Sequence, residues 1–307
     1  MGHDWYNRYG GFEDRVILLG TGYFLQKLCS ANAVFLSGFE INLESKLFRH
    51  FYTIHCFVEE KIITTAYALL YNNSKEAYSK MLKMIKNSVK RKRLDFKPST
   101  FYIDVDINLM SSIEEIFGKE VTIKLSLYDY ANSVWFKVKS LGLAQSDDRN
   151  VEKAIRRMCC LAIIPVDQIE DAWIKIKEEA PQNENLLELI SYINEAFMIS
   201  KDGHKFDKNT WNHYDTDNIK MINHLEGWSD FIDEDNKKTD LSVKNFIIKL
   251  KKKQGDFEKE IFVNQKKSNE ISKIPKKYKA LEEKFKHAKE RLENGKISVI
   301  EYLDEII

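Results

Sequence analysis

The sequence predicts an α/β protein, with a mixed sheet and its flanking helices in the first half and an almost wholly helical second half. Three observations carry this. Apolar, β-branched runs of strand length crowd into residues 16–127. Two of them, Phe51–Val58 and Ile62–Tyr71, are separated only by Glu59-Glu60-Lys61, which is hairpin spacing. From Tyr128 onward apolar residues recur at helical intervals, and 4 prolines and 12 glycines in 307 residues leave long elements uninterrupted.

Taken in order, Val16–Leu19 is a short apolar run ending at Gly20-Thr21-Gly22. That glycine pair reads as a turn, because a dinucleotide fingerprint needs a third glycine where Leu25 stands. Ala33–Phe39 is the next strand, followed by the hairpin. Ser74–Val89 has helical spacing, with Ala77, Met81, Met84 and Ile85 on one face and Ser74 as N-cap. Phe101–Val105 is a short buried strand, Asn108–Phe117 a helix and Val121–Leu127 a strand. A hairpin followed by a helical crossover requires a parallel return. The first three long strands are therefore expected to pair antiparallel, with Phe101–Asp106 parallel beside Ala33–Phe39 and Val121–Leu127 beyond it. Helices are expected over Ala131–Leu143, over Val151–Ile164 as far as Pro165, and from the start signal Asp167-Gln168-Ile169-Glu170. Others are Asn185–Met198, His224–Ile232, a Lys-rich stretch from Val243, and Lys276–Leu292 with Gly295 at C′. A last helix starts near Ser298. Ser200–Asp217 reads as a polar loop carrying Trp211. No period of 20–50 residues indicates a repeat array.

Composition narrows the class. Hydrophobic residues at 43% can build a sizeable core, and 31% charged residues suit a soluble chain. The longest apolar stretch, Cys159–Val166, is far short of the ~18 residues of a membrane span. Met1–Gly10 has no secretory pattern, and Tyr6 breaks the myristoylation pattern. The cysteines Cys29, Cys56, Cys159 and Cys160 make neither a C-x-x-C pair nor a disulfide scaffold. The expectation is a nuclear or cytoplasmic protein without a membrane partner. Net charge is only +1, but residues 241–296 hold 17 Lys and Arg against 8 Asp and Glu. That segment carries +9 and the remainder −8, the pattern of a polyanion-binding surface on an acidic body. Lys249, Lys251, Lys252 and Lys253 belong to it. A second cluster is Lys90, Arg91, Lys92 and Arg93. The competing reading of both is a solvated helix face.

Asp104 and Asp106 stand at the end of a hydrophobic strand. Two carboxylates at the carboxyl edge of a sheet can hold a divalent cation. Asp106 reads better as the cap of the following helix; Asp104 is divided between a site and a structural role. Tyr128, Tyr130, Trp135 and Phe136 flank Asp129 and Asn132. Such interleaving could stack bases, although core packing is the commoner use. The histidines show no ligand spacing.

Leu47-Phe-Arg-His-Phe-Tyr-Thr-Ile-His55, the hairpin and Ala66-Tyr-Ala-Leu-Leu70 resemble the core of Mutator-like-element (MULE) transposases. So do Ser74-Lys-Glu-Ala-Tyr78, Phe101–Phe117, Gly142-Leu143, Leu161-Ala-Ile-Ile-Pro165 and Asn223-His-Leu-Glu-Gly-Trp228, in the right order over residues 14–265. The resemblance implies an RNase H-like fold: a mixed sheet with flanking helices and an all-helical insertion, here with a helical C-terminal extension. The implied division is 1–145 for the sheet core, 146–218 for the insertion, 219–265 for the last core helices and 266–307 for a basic extension. It also implies a DDE acid triad that binds two cations and acts on DNA.

The chain departs from that pattern at the chemistry. Ser37, in Phe35-Leu-Ser-Gly-Phe39, stands where the first Asp is expected, with one residue apparently missing before Phe39. The family's Cys-x-x-His aligns with Ser126-Leu-Tyr-Asp129, and Lys220-Met-Ile-Asn223 replaces Arg-Thr-Asn-Asn. Asp104 and Glu226 survive as catalytic and metal-binding residues. The expectation is a degenerate or domesticated transposase-derived protein that binds DNA, with Mg²⁺ or Mn²⁺ only if active; a homo-oligomer is compatible. The alternatives are an active transposase or nuclease using a substitute acid such as Glu40 or Asp129, and a protein-interaction module.

Overall fold

The computed structural model describes residues 15–58, 61–198, 206–216, 232, 241–266 and 276–307, with backbone only for 61, 260–266 and 276–282. Its centre is a six-stranded mixed sheet ordered β1-β4-β3-β2-β5-β6. The strands are β1 (Val16–Gly20), β2 (Ala33–Glu40), β3 (His50–Val58), β4 (Lys61–Leu70), β5 (Thr100–Ile103) and β6 (Thr122–Leu125). β2, β3 and β4 form an antiparallel meander, and β1 adds antiparallel to β4. β5 lies parallel beside β2 and β6 parallel beside β5, the pairing predicted from the hairpin and crossover.

One face of the sheet is covered by α1 (Gly22–Cys29), α2 (Lys75–Arg91) and α3 (Ile107–Phe117). Ala77, Tyr78, Met81, Leu82 and Ile85 of α2 are buried there, spaced to lie along one stripe. Ser74 caps α2 by accepting from the Ala77 amide. α1 corrects the sequence reading, which placed only a turn there. Thr21 is its N-cap, and Phe24, Leu25 and Leu28 enter the core. At eight residues it is too short for its periodicity to stand out from the flanking strands.

The other face carries Ile17, Leu19, Phe51, Tyr67 and Leu69, buried beneath Phe246 and Leu250 of α9 (Val243–Lys266). Phe246 meets Phe51 edge-on, and Phe257 stacks on Phe24. The Lys-rich helix is thus also a core element.

The helical part comprises α4 (Leu127–Ser140), α5 (Arg149–Cys159), α6 (Ile169–Glu179), α7 (Glu184–Ile193) and the short α8 (Lys208–Trp211). α4 starts four residues earlier than expected, because Ser126 caps it. α5 stops at Cys159 and gives way to a 3-10 turn before Pro165. The Asp167–Glu170 capping signal is not used; Gln168 precedes α6 without a side-chain cap. Trp211, placed in a polar loop by its neighbours, is fully buried and stacked on Tyr130. α10 (Lys276–Glu293) and α11 (Val299–Ile306) close the chain. Gly295, with φ of 64°, ends α10, and Ser298 with Glu301 forms a capping box on α11. Arg157, 4% exposed, forks onto both carboxylate oxygens of Asp304 at 2.7 and 2.8 Å and reaches Glu179. This ties α11 to α5 and α6. No helix among the described residues is long and apolar enough to cross a membrane.

Candidate functional site

The parallel strands β2, β5 and β6 end at one edge of the sheet, where open α/β sheets place ligands. β5 delivers Asp104 there. The last β2–β5 pair is Leu36 with Ile103, so Ser37 and Asp104 follow as neighbours on adjacent strands. The Gly38 amide donates to Asp104 Oδ2 at 2.7 Å. A Cβ at position 38 would lie 2.5 Å from Tyr52 Cζ and 2.8 Å from that same oxygen. Only glycine lets β2 approach the carboxylate so closely. Asp106 Oδ1 caps α3, accepting from the Asn108 and Leu109 amides, and its Oδ2 accepts from Tyr78 Oη. Asp106 is therefore a cap, as its position predicts.

The side chain that joins Asp104 is Asp129, in the first turn of α4. Ser126 Oγ accepts from the Asp129 amide and fixes that turn. Asp104 Oδ1 and Asp129 Oδ2 are both shielded from solvent and have no hydrogen-bond partner. Burial, then the charge of Asp129, holds the Asp104 carboxyl well above the usual range. Burial likewise raises Asp129 to about 6. Two like charges in a low-dielectric site cannot both ionise cheaply. A shared proton or a bound cation is the physical remedy for the two orphan oxygens. Mg²⁺ is often held by one or two carboxylates with waters or phosphates completing its shell, so this pair fits one cation. Among the described residues no group of three His, Cys, Asp or Glu side chains could hold a metal.

Ser37 and Asp104 are neighbours on adjacent parallel strands, two residues past the stacked pair Phe35 and Tyr102. Asp104 turns Oδ2 to the Gly38 amide, and Ser37 supplies no carboxylate beside it. The β2–β3 register runs unbroken from Val34 to Glu40, so the apparent deletion before Phe39 leaves no bulge in the strand. Glu40 ends β2 opposite His50 and is exposed. Glu226 lies outside the described residues, as does the helix expected over 224–231.

The Lys90–Arg93 cluster lies away from the carboxyls. Asn108, two residues past Asp106, bonds to Asn73 at the start of α2. Lys90, Arg91, Lys92 and Arg93 end α2, some 17 residues later, or ~25 Å at 1.5 Å per residue. Lys90, Arg91 and Arg93 are exposed and Lys92 is half-buried. On α9, Lys251 and Lys252 are exposed, and Lys249 and Lys253 are half-buried. Of the aromatics around Asp129, Tyr130 is core, whereas Trp135 and Phe136 are exposed. The pairing of Asp104 with Asp129 had one sequence signal, an extra acid where the resembling family has histidine.

No model of a known protein family and no curated protein matches this sequence.

Proposed function

We propose that this chain is an RNase H-like DNA-binding protein, derived from a Mutator-like-element transposase, whose strand-cleaving chemistry is impaired. One observation carries the reading. Asp104 stands at the carboxyl end of β5, beside the β2 position held by Ser37, within the order β4-β3-β2-β5-β6. An antiparallel three-strand meander extended by two parallel strands is the arrangement the resemblance implies, with its first two acids on those neighbouring strands. β1 is an addition at the far edge.

Impairment follows from charge. Two cations about 3.5–4 Å apart need bridging carboxylates to offset their repulsion. Ser37 brings none. When bound, Mg²⁺ or Mn²⁺ would polarise a phosphoryl oxygen and activate water. Asp104 and Asp129 would hold it, Gly38 N–H fixing the Asp104 carboxylate, while Glu226 remains the family-matched third acid. DNA affinity is assigned to Lys90, Arg91, Lys92 and Arg93 and to the Lys249–Lys253 stretch of α9.

A second reading has its own observation. Asp129 beside Asp104 is what an active enzyme with a substitute acid would need. Anisotropy of a labelled duplex against salt tests the first half of the proposal. Neutralising about four phosphates would give a slope of log K on log salt near −3.6; absence of binding at low salt would refute it. Mn²⁺-dependent nicking decides between the two readings.

A further inference from the structure

α4 is built with two unlike sides. Tyr130, Val134 and Val138 are fully buried and anchor it to the core. Trp135 is 41% exposed and Phe136 77% exposed, and neither is needed for that anchoring. With Val105, Asp129, Asn132 and Lys139 they line an open pocket of about 380 Å³. Asp129, Asn132, Phe136 and Lys139 are spaced by three, four and three residues, so they follow one face of the helix. From Asp129 to Lys139 that track is ~15 Å long. It begins at the carboxyl pair and ends at a cation. Lys137 next to it is tied to Glu188, whereas among the described residues Lys139 has no carboxylate partner.

We infer that this track binds an unpaired nucleotide segment, with Trp135 and Phe136 as stacking faces and Lys139 as the phosphate contact. The inference rests on the nucleic-acid reading above and adds a strand form and a place to it. Two large exposed rings lining one pocket are unusual unless something covers them. A base offers a flat π-face of any sequence, and a nearby cation takes its phosphate. The pocket is open and carries Asn132 and Lys139 among its rings, which suits a base and its backbone better than the apolar side of a protein helix. Duplex DNA hides its base faces and cannot stack there, so the selectivity is for single strands or unpaired ends.

The test uses the full chain with a fluorescein-labelled oligothymidine of about 15 nucleotides and a blunt duplex of equal length, both read by anisotropy. Phe136→Ala and Trp135→Ala are each expected to weaken oligothymidine binding ~10-fold and to change duplex binding less than ~2-fold. Lys139→Gln should lower the single-strand salt slope by about 0.7. Circular dichroism confirms that the variants are folded, and the high exposure of Phe136 makes its replacement safe. Oligothymidine affinity unchanged in both aromatic variants, with duplex binding intact, overturns this inference alone. Failure of the unmodified chain to bind either DNA overturns the nucleic-acid reading and this inference with it. Self-association lost in Phe136→Ala, with oligothymidine binding unaffected, assigns the surface to a second copy of the chain and also overturns it.

Discussion

Gly38 and Asp129 decide the geometry at the carboxyl edge of the sheet. Gly38→Ala places a methyl within 2.5 Å of Tyr52 Cζ and 2.8 Å of Asp104 Oδ2. The strand or the ring must shift, at about 1–3 kcal/mol; urea unfolding of the variant measures it, and an unchanged midpoint would contradict the close approach. Asp129 makes a prediction in pH. Its folded pKa, about 6, lies above the usual aspartate value. The folded state therefore binds more protons than the unfolded state between pH ~4 and ~6, and the pair's contribution to stability falls as pH rises through that window. Asp129→Asn removes the loss, so it should gain on the unmodified chain by roughly 1–3 kcal/mol on going from pH 4 to pH 7. A difference independent of pH would contradict the buried pair. Asp106 was legible as a cap because capping is local, decided within three residues. The partnership of Asp104 with Asp129 was not, because it depends on β6 and α4 returning to the end of β5.

Among the elements, strands bounded by charged turns and capped helices were legible, and short or tertiary-dependent ones were not. The hairpin, α2 and the Gly295–Ser298 junction each carry a local signal. α1 and α8 are brief, and burial of Trp211 depends on Tyr130 from a distant helix. The Lys-rich α9 shows the limit of charge counting. Its composition signals a basic surface, yet Phe246 and Leu250 seat it on the sheet. The closing helix is held by charge: Arg157 is almost fully buried and Asp304 takes two of its donors. Asp304→Ala leaves a buried guanidinium with only Glu179, at a cost of about 3 kcal/mol. Thermal unfolding should show the loss, and a shift no larger than that of a surface substitution would mean that α11 is not docked by this pair.

For the whole molecule, the order β4-β3-β2-β5-β6 and the place of Asp104 at the end of β5 were legible because hairpin spacing and crossover handedness leave few topologies, whereas nothing in the sequence placed β1 at the β4 edge. The +9 charge of residues 241–296 leads to the expectation that a fragment lacking 241–307 loses most of its DNA affinity. The structure makes α9 the cover of one sheet face and ties α11 to the helical part. A fragment lacking 241–307 should therefore lose its cooperative near-UV signal along with its DNA affinity, and a folded fragment would contradict that. Basic residues are better tested singly, by replacing exposed Lys90, Arg91, Arg93 or Lys252. The central claim is that the acid set for two cations is broken, with Ser37 where a carboxylate is needed. The most direct measurement is nicking of supercoiled plasmid by the unmodified chain in Mn²⁺, with Asp104→Ala as control. No nicking above that control is expected; nicking that Asp104→Ala abolishes would overturn the impaired reading and make Asp129 the acid that completes an active site.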